Sequence, residues 1–306
     1  MSRPFRFAVQ GGPFDDPDAL REHARRVEGL GYEELFTMDH LGAVDPFLPL
    51  VVAAEATTML RFGPLVLNNE LHNPALLART AATFDALSGG RLVLGLGTGY
   101  MRREHEAAAI ELRPPGSRVA RFAESLRALR ELLDTGAATF AGDHVSVAVD
   151  DLGVRPSQGS VPFLVGGHGR KVVALGAQFA DVFQFTGLVH DPVTGEPGAG
   201  GFARRDVALR RDWLRADAGD RFDSIELSAL VQLTHVGDGA EAAAARSAER
   251  MGCDRAVVDD TPFLLIGSAA ALADKLQGLR EELGITHFVV RDPDGFAPVV
   301  EALAGT

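Results

Sequence analysis

Residues 61–101 read RFGPLVLNNELHNPALLARTAATFDALSGGRLVLGLGTGYM, and this stretch decides the fold. Arg61–Leu67 is an apolar run of strand length that ends in Asn68, Asn69 and Glu70. From Pro74 onward, Leu76, Leu77, Ala81, Phe84 and Leu87 recur at helical spacing, and Ser88-Gly89-Gly90 stops the helix. Arg91–Leu96 is a second strand, followed by the turn Gly97-Thr98-Gly99. The result is a complete β-α-β unit with a polar cluster at the end of each strand. All the asparagines of the chain (Asn68, Asn69 and Asn73) fall inside it, which points to a use for their amides there.

The same alternation extends in both directions. Phe5–Gln10 reads as a first strand, and Asp16-Pro17 as the cap and first position of a helix over Asp18–Leu30 that Gly31 ends. Glu34–Met38 is a strand leading into Asp39-His40, and Asp45–Thr58 a buried helix. Downstream, an amphipathic helix spans Arg118–Leu133, and Thr139–Val149 alternates like a hairpin around Gly142-Asp143. Strand Val161–Val165, helix Lys171–Phe179 and strand Asp181–Phe185 follow, then a helix at Arg204–Ala216. Ile225–Val236 reads as one long seventh strand and Ile285–Val290 as the eighth, with helices at Ala240–Met251 and Ala269–Leu283. Eight apolar strands alternating with helices predict an α/β fold, a (β/α)8 TIM barrel with insertions, as one domain over residues 1–306. Residues 186–203, rich in Gly, Pro and Asp, are the expected insertion or lid.

Bulk properties narrow the partners. A net charge of −12 argues against nucleic acid and anionic membranes, which require a basic footprint. Arginine outnumbers lysine 28 to 2, which reads as genomic base bias. Cys253 is the only cysteine, so an intrachain disulfide and a cysteine metal cluster are both excluded. The N-terminus moves straight into a strand pattern without a signal-peptide profile, and no apolar run has the length of a membrane span. The expected location is cytoplasmic.

In barrels of this kind the site lies at the C-terminal strand ends. Strand two ends at Asp39 and His40, where an imidazole beside a carboxylate suits proton handling or a structural bond to a loop carbonyl. Strand three ends at Asn68 and Asn69, whose amides fit either the polar edge of a heterocycle or a bulge. Gly97-Thr98-Gly99 lacks the third glycine of the dinucleotide fingerprint, because Tyr100 stands in its place. It can still bring backbone N–H groups to a phosphate, or be a simple turn. Gly166-Gly167-His168-Gly169-Arg170 joins a strand to a helix start, a typical anion site, and two such corners on neighbouring strands could share one phosphate. His105-Glu106 lacks the second histidine of the zinc-protease pattern, no Gly-x-Ser-x-Gly elbow occurs, and no metal site is expected. His23, His144 and His287 read as surface or structural.

Together these segments resemble the bacterial luciferase-like superfamily, and within it the oxidoreductases that use coenzyme F420, a deazaflavin. The segments that carry the resemblance are DALREHARRVEGLGYEELFTMDH, LRFGPLVLNNELHNPALLARTAATFDALSGGRLVLGLGTGYMRREHEAA, VPFLVGGHGRKVVALGAQFADVFQ and TPFLLIGSAAALADKLQGLREELGITHFVV, which cover nearly the whole chain. The resemblance implies a parallel barrel, commonly dimeric, with the ring of F420 (alternatively FMN) at the C-terminal mouth. It places His40 as the catalytic residue facing ring and substrate, with Asp39, Asn68 and Asn69 among the residues that bind the cofactor. Asn68 and Asn69 would mark the end of strand three, where the family often carries a non-prolyl cis peptide. Thr98 and Gly99 would contact the cofactor tail, and Gly166, Gly167 and Gly169 its phosphate. Sugar-phosphate dehydrogenases of the family carry an acidic residue directly after the Gly-Thr-Gly turn. Tyr100 occupies that place, which argues against a sugar-phosphate substrate.

The implied activity is hydride transfer between F420 and a small organic substrate. Its rivals are an FMN-dependent monooxygenase of the same superfamily and a non-catalytic flavin-binding barrel that needs no His40. A generic aldolase-type barrel fits less well, because such enzymes usually rely on a strand-end lysine and the only lysines, Lys171 and Lys275, read as helical.

Overall fold

The computed structural model describes residues 3–191, 197–198 and 200–306. Its main sheet contains nine hydrogen-bonded segments, all parallel. They form eight barrel strands: β1 (Arg6–Gln10), β2 (Glu34–Thr37), β3 in two halves (Arg61–Pro64 and Leu67–Asn68), β4 (Leu94–Gly97), β5 (Phe163–Gly166), β6 (Val182–Phe185), β7 (Glu226–Leu230) and β8 (Ile285–Val290). The order runs β3-β2-β1-β8-β7-β6-β5-β4 and returns to β3, so the sheet closes without an edge. The second half of β3 pairs with β4 through Leu67↔Leu96 and Asn68↔Gly97, and a bridge Phe62↔Leu92 seals the first half. Closure there depends on glycine: a Cβ on Gly63 or Gly95 would overlap the carbonyl of Val93 or Pro64 on the facing strand. The cis peptide Leu65-Val66 lies between the two halves of β3.

The strands read as unbroken apolar runs because both of their faces are buried. Inside the barrel, Ala8, Phe36, Leu65, Val93, Leu164, Val182 and Val289 form one cluster. A larger cluster lies between strands and helices, where the Phe7 ring meets those of Phe288 and Phe296. Each fully buried Phe contributes roughly 1.5–3 kcal/mol through removal of its apolar surface from water.

Helix α1 (Pro17–Gly29) begins as its sequence dictates: Asp16 Oδ1 accepts from the backbone N–H groups of Asp18 and Ala19, both at 3.0 Å. Helix α2 (Leu48–Ala56) starts three residues later than its apolar pattern suggests, because Asp45 uses its carboxylate to accept from Phe47 N and Leu48 N. Helices α3 (Pro74–Leu87), α4 (Arg102–Ala107), α5 (Pro115–Thr135), α6 (Arg170–Phe179) and α7 (Arg204–Ala218) follow. Then come α8 (Ala240–Met251), α9 (Arg255–Asp260), α10 (Ala269–Leu283) and α11 (Pro293–Leu303). The short helices α4 and α9 are too brief to leave a periodic signal. The hairpin Ala138–Ala141 with Ser146–Val149 forms where alternation predicts it.

One expected strand divides. The apolar run Ile225–Val236 leaves the barrel after Leu230: Val231 N still bonds Val289 O, but Gln232 N turns to Phe263 O. Leu233–Val236 then pairs in parallel with Leu264–Gly267, a two-stranded sheet beside the barrel that periodicity alone does not reveal. In the segment expected to be a lid, Val189–His190 pairs antiparallel with Pro197–Gly198. Residues 192–196 and 199 of that lid lie outside the described residues.

Candidate active site

The C-terminal strand ends open onto one cavity of about 410 Å³. That is the size of a small-molecule site. Asp39, His40, Asn68, Thr98, Gly99, Gly166, Gly167 and Gly169 all line it. The glycine corners after β4 and β5 are neighbours, since Leu96 pairs with Val165, and they face the same space. Asn69 behaves differently: it is 2% exposed, is absent from the cavity wall, and its carbonyl accepts from Arg121.

Each corner has a physical reason for its sequence. Gly99 adopts φ +74°, and a Cβ there would overlap the Asn68 side-chain amide. Asn68 is itself fixed: its Oδ1 accepts from Glu70 N at 3.1 Å, and its Nδ2 lies 3.0 Å from His105 Nε2. A Cβ on Gly167 would strike Val172, whereas one on Gly169 would meet nothing within 4 Å. Gly169 precedes α6 and gives it no side-chain cap, so among the described residues no capping side chain competes with an anion for the first N–H groups of that helix. Arg170 does not add its charge here. It turns outward to a two-point pair with Asp217 and is not on the cavity wall.

His40 stands after β2. Its Nδ1 lies 2.8 Å from Oε1 of Glu104, a buried carboxylate on α4. A carboxylate can only accept, so Nδ1 carries a proton, and a neutral ring then presents Nε2 as a lone pair. Among the described residues nothing bonds to that Nε2. Neighbouring Asp39 uses Oδ2 to accept from Asn68 N and to hold His72 Nε2, each at 2.8 Å, which ties the end of β2 to the end of β3.

The remaining wall mixes aromatic and apolar side chains with polar and cationic ones, Gln10, Gln232, Arg118 and Arg291 among them. Tyr100 stacks on His190 at 3.7 Å between ring centroids and meets His40 edge-on at 6.1 Å. Burial raises the Tyr100 phenol, and Glu104 adds to the effect. Burial lowers His190 to about 4, with His168 and His40 contributing. Met38, Met101, Leu112, Val119 and Leu188 supply apolar surface. Sequence reasoning missed Glu104, because nothing local links α4 to His40. It also passed over Gln184, although a lone glutamine in the apolar strand VFQF is a visible signal. Among the described residues no cluster of three or more His, Cys, Asp or Glu could hold a metal, and no helix is long and apolar enough to cross a membrane.

A family model described as luciferase-like monooxygenase matches residues 2–198, and the chain belongs to that family. The chain is 32% identical over 187 residues to an F420-dependent glucose-6-phosphate dehydrogenase of Amycolatopsis mediterranei. That match covers 58% of this chain and 54% of the relative, about half of the relative's length. The F420-dependent tetrahydromethanopterin reductase of Methanopyrus kandleri superposes with a TM-score of 0.76 at 18% identity, covering 98% of each chain. A long-chain alkane monooxygenase superposes with a TM-score of 0.78 at 15% identity, covering 99% of this chain and 92% of the other. At such identities these two likenesses speak for the fold alone.

Proposed function

We propose that the protein is an oxidoreductase that uses a deazaflavin of the F420 type and acts on a small organic substrate. The observation that carries this reading is the convergence of two glycine corners and His40 on one cavity. The F420-dependent relative at 32% identity supports the choice of cofactor. The residues present fit such a group: the N–H groups at the start of α6 suit a phosphate, and a cavity of about 410 Å³ can receive a tricyclic ring.

A bound deazaflavin supplies hydride chemistry without efficient oxygen activation. The chain's own residues hold and orient. Thr98, Gly99, Gly166, Gly167 and Gly169 bind the cofactor tail, Asn68 and Asp39 fix the end of β3, and His40 holds or moves one proton at Nε2 while Glu104 fixes its tautomer. The apolar side chains of the wall and the Tyr100–His190 stack help to exclude water.

An FMN-dependent monooxygenase is the second reading, favoured by the family description. The test is to supply reduced F420 anaerobically with panels of ketones, imines and enones, and reduced FMN with oxygen. Oxidation of F420 coupled to substrate supports the proposal. Product formed only with reduced FMN and oxygen overturns it.

The protein is further proposed to be a cytoplasmic homodimer. Apart from the exposed Glu55, helix α2 is apolar, and Leu48, Met59, Leu76 and Leu87 are 70%, 78%, 56% and 70% exposed across the surface of α2, α3 and their flanks. Phe47 and Phe84 join α2 to α3 beneath that surface. A second copy of the chain is the proposed cover.

A further inference from the structure

The barrel core, normally apolar, contains a polar row that reaches the cavity floor. Strand register creates it: Gln184 pairs with Ser228, Ser228 with His287, and His287 with Arg6, so adjacent strands place these residues side by side. Gln184, Ser228 and His287 are each no more than 1% exposed. Gln184 Nε2 donates to Ser228 Oγ at 3.3 Å, and Ser228 Oγ lies 2.9 Å from His287 Nδ1. His287 Nε2 is 2.8 Å from Glu34 Oε2, and Arg6 meets Glu34 Oε1 at 2.6 Å. Gln184 also lines the cavity, and among the described residues nothing donates to its Oε1.

The direction of each contact follows from the charged end. Burial pushes the Glu34 carboxyl up, but His287 and Arg6 outweigh it and hold the group well below the usual carboxylate range. The His287 N–H is not aligned on the oxygen, so this is a close charge contact rather than a directed hydrogen bond. A bare nitrogen lone pair at that distance from a carboxylate would be repelled, so Nε2 carries the proton. Ser228 Oγ, beside His287 Nδ1, accepts the amide hydrogen of Gln184 on its other side, which places the amide nitrogen inward and leaves Oε1 for the cavity.

We propose that Gln184 is the hydrogen-bond acceptor for the imide N–H at the pyrimidine end of a tricyclic ring, and that Ser228, His287 and Glu34 are positioning residues that set its polarity. The inference rests on the cofactor reading above and adds which ring edge faces the barrel floor. It gives the polar row a use that packing alone does not require, since an apolar row of the same shape would fill the core.

The test uses 5-deazariboflavin 5′-phosphate and its N3-methyl derivative, which lacks the imide hydrogen, titrated into the intact protein by fluorescence. The wild type should hold the N3–H form roughly tenfold tighter, and Ser228→Ala or Gln184→Leu should reduce that preference to about threefold or less. Ser228→Thr, which keeps the hydroxyl, should restore it. A preference undiminished in Ser228→Ala, or in Gln184→Leu where the serine variant does not fold, overturns the inference while leaving the cofactor reading intact. Equal affinity of the wild type for both probes does the same. Binding of neither probe by the wild type overturns the cofactor reading itself, and the inference with it.

Discussion

His40 Nδ1 lies 2.8 Å from Glu104 Oε1, with the imidazole on the cavity wall and the carboxylate buried behind it. The pair joins the end of β2 to α4 and leaves Nε2 as the one ring nitrogen directed to a ligand. His40→Ala should retain cofactor binding and lose about 10²–10⁴-fold in turnover, the usual weight of a positioned proton-transfer group. Glu104→Gln should lower kcat by roughly tenfold or more while cofactor affinity holds, because the amide no longer dictates the tautomer. Steady-state rates and cofactor titration on both variants check this, and unchanged rates in His40→Ala would remove it from the mechanism.

Gly99→Ala should weaken cofactor binding and also destabilise the fold by about 1–3 kcal/mol, since an L side chain must be forced into positive φ. The new methyl also displaces the Asn68 amide from its place at the end of β3. Gly169→Ala is the control, as its Cβ meets nothing within 4 Å. Thermal unfolding should separate the two variants; equal midpoints would argue against a strained corner.

Acid should loosen the Tyr100–His190 stack. The packed state keeps His190 neutral down to about 4, whereas the released imidazole protonates near its ordinary 6.5. The stability due to burying a neutral ring is therefore complete above pH 6.5 and declines as pH falls toward about 4. His190→Phe keeps a stacking ring without a titrating group. Its melting temperature should fall less than that of the wild type across this window, and parallel curves would contradict the assignment.

Much of this was legible in the sequence, for reasons that differ by element. Strands and helices announced themselves through burial on two faces or one, and the β-α-β unit at residues 61–101 carried the topology. Asp16 and Ser268 cap their helices as their side chains require. What the sequence withheld depends on distant contacts. Leu233–Val236 looks like a continuation of β7 because its partner, Leu264–Gly267, lies beyond two helices. Asn68 and Asn69 are chemically identical neighbours, yet only Asn68 reaches the cavity, a choice made by the turn at residues 69–71. Arg170 sits beside an anion corner in sequence but answers to Asp217 on α7.

Leu48→Glu combined with Met59→Glu should convert a dimer to a monomer in light scattering, with the circular dichroism of the barrel unchanged. Both side chains face solvent in the single chain, so the charges cost little unless a second copy covers them. A wild type that is monomeric at all concentrations would contradict the proposed assembly.

The most direct measurement is a fluorescence-quenching titration of the purified protein with F420 and, separately, with FMN. On the proposed cofactor reading, the protein should bind F420 at least about tenfold more tightly than FMN, a difference of about 1.4 kcal/mol. Tighter binding of FMN, or saturable binding of neither, would contradict the account.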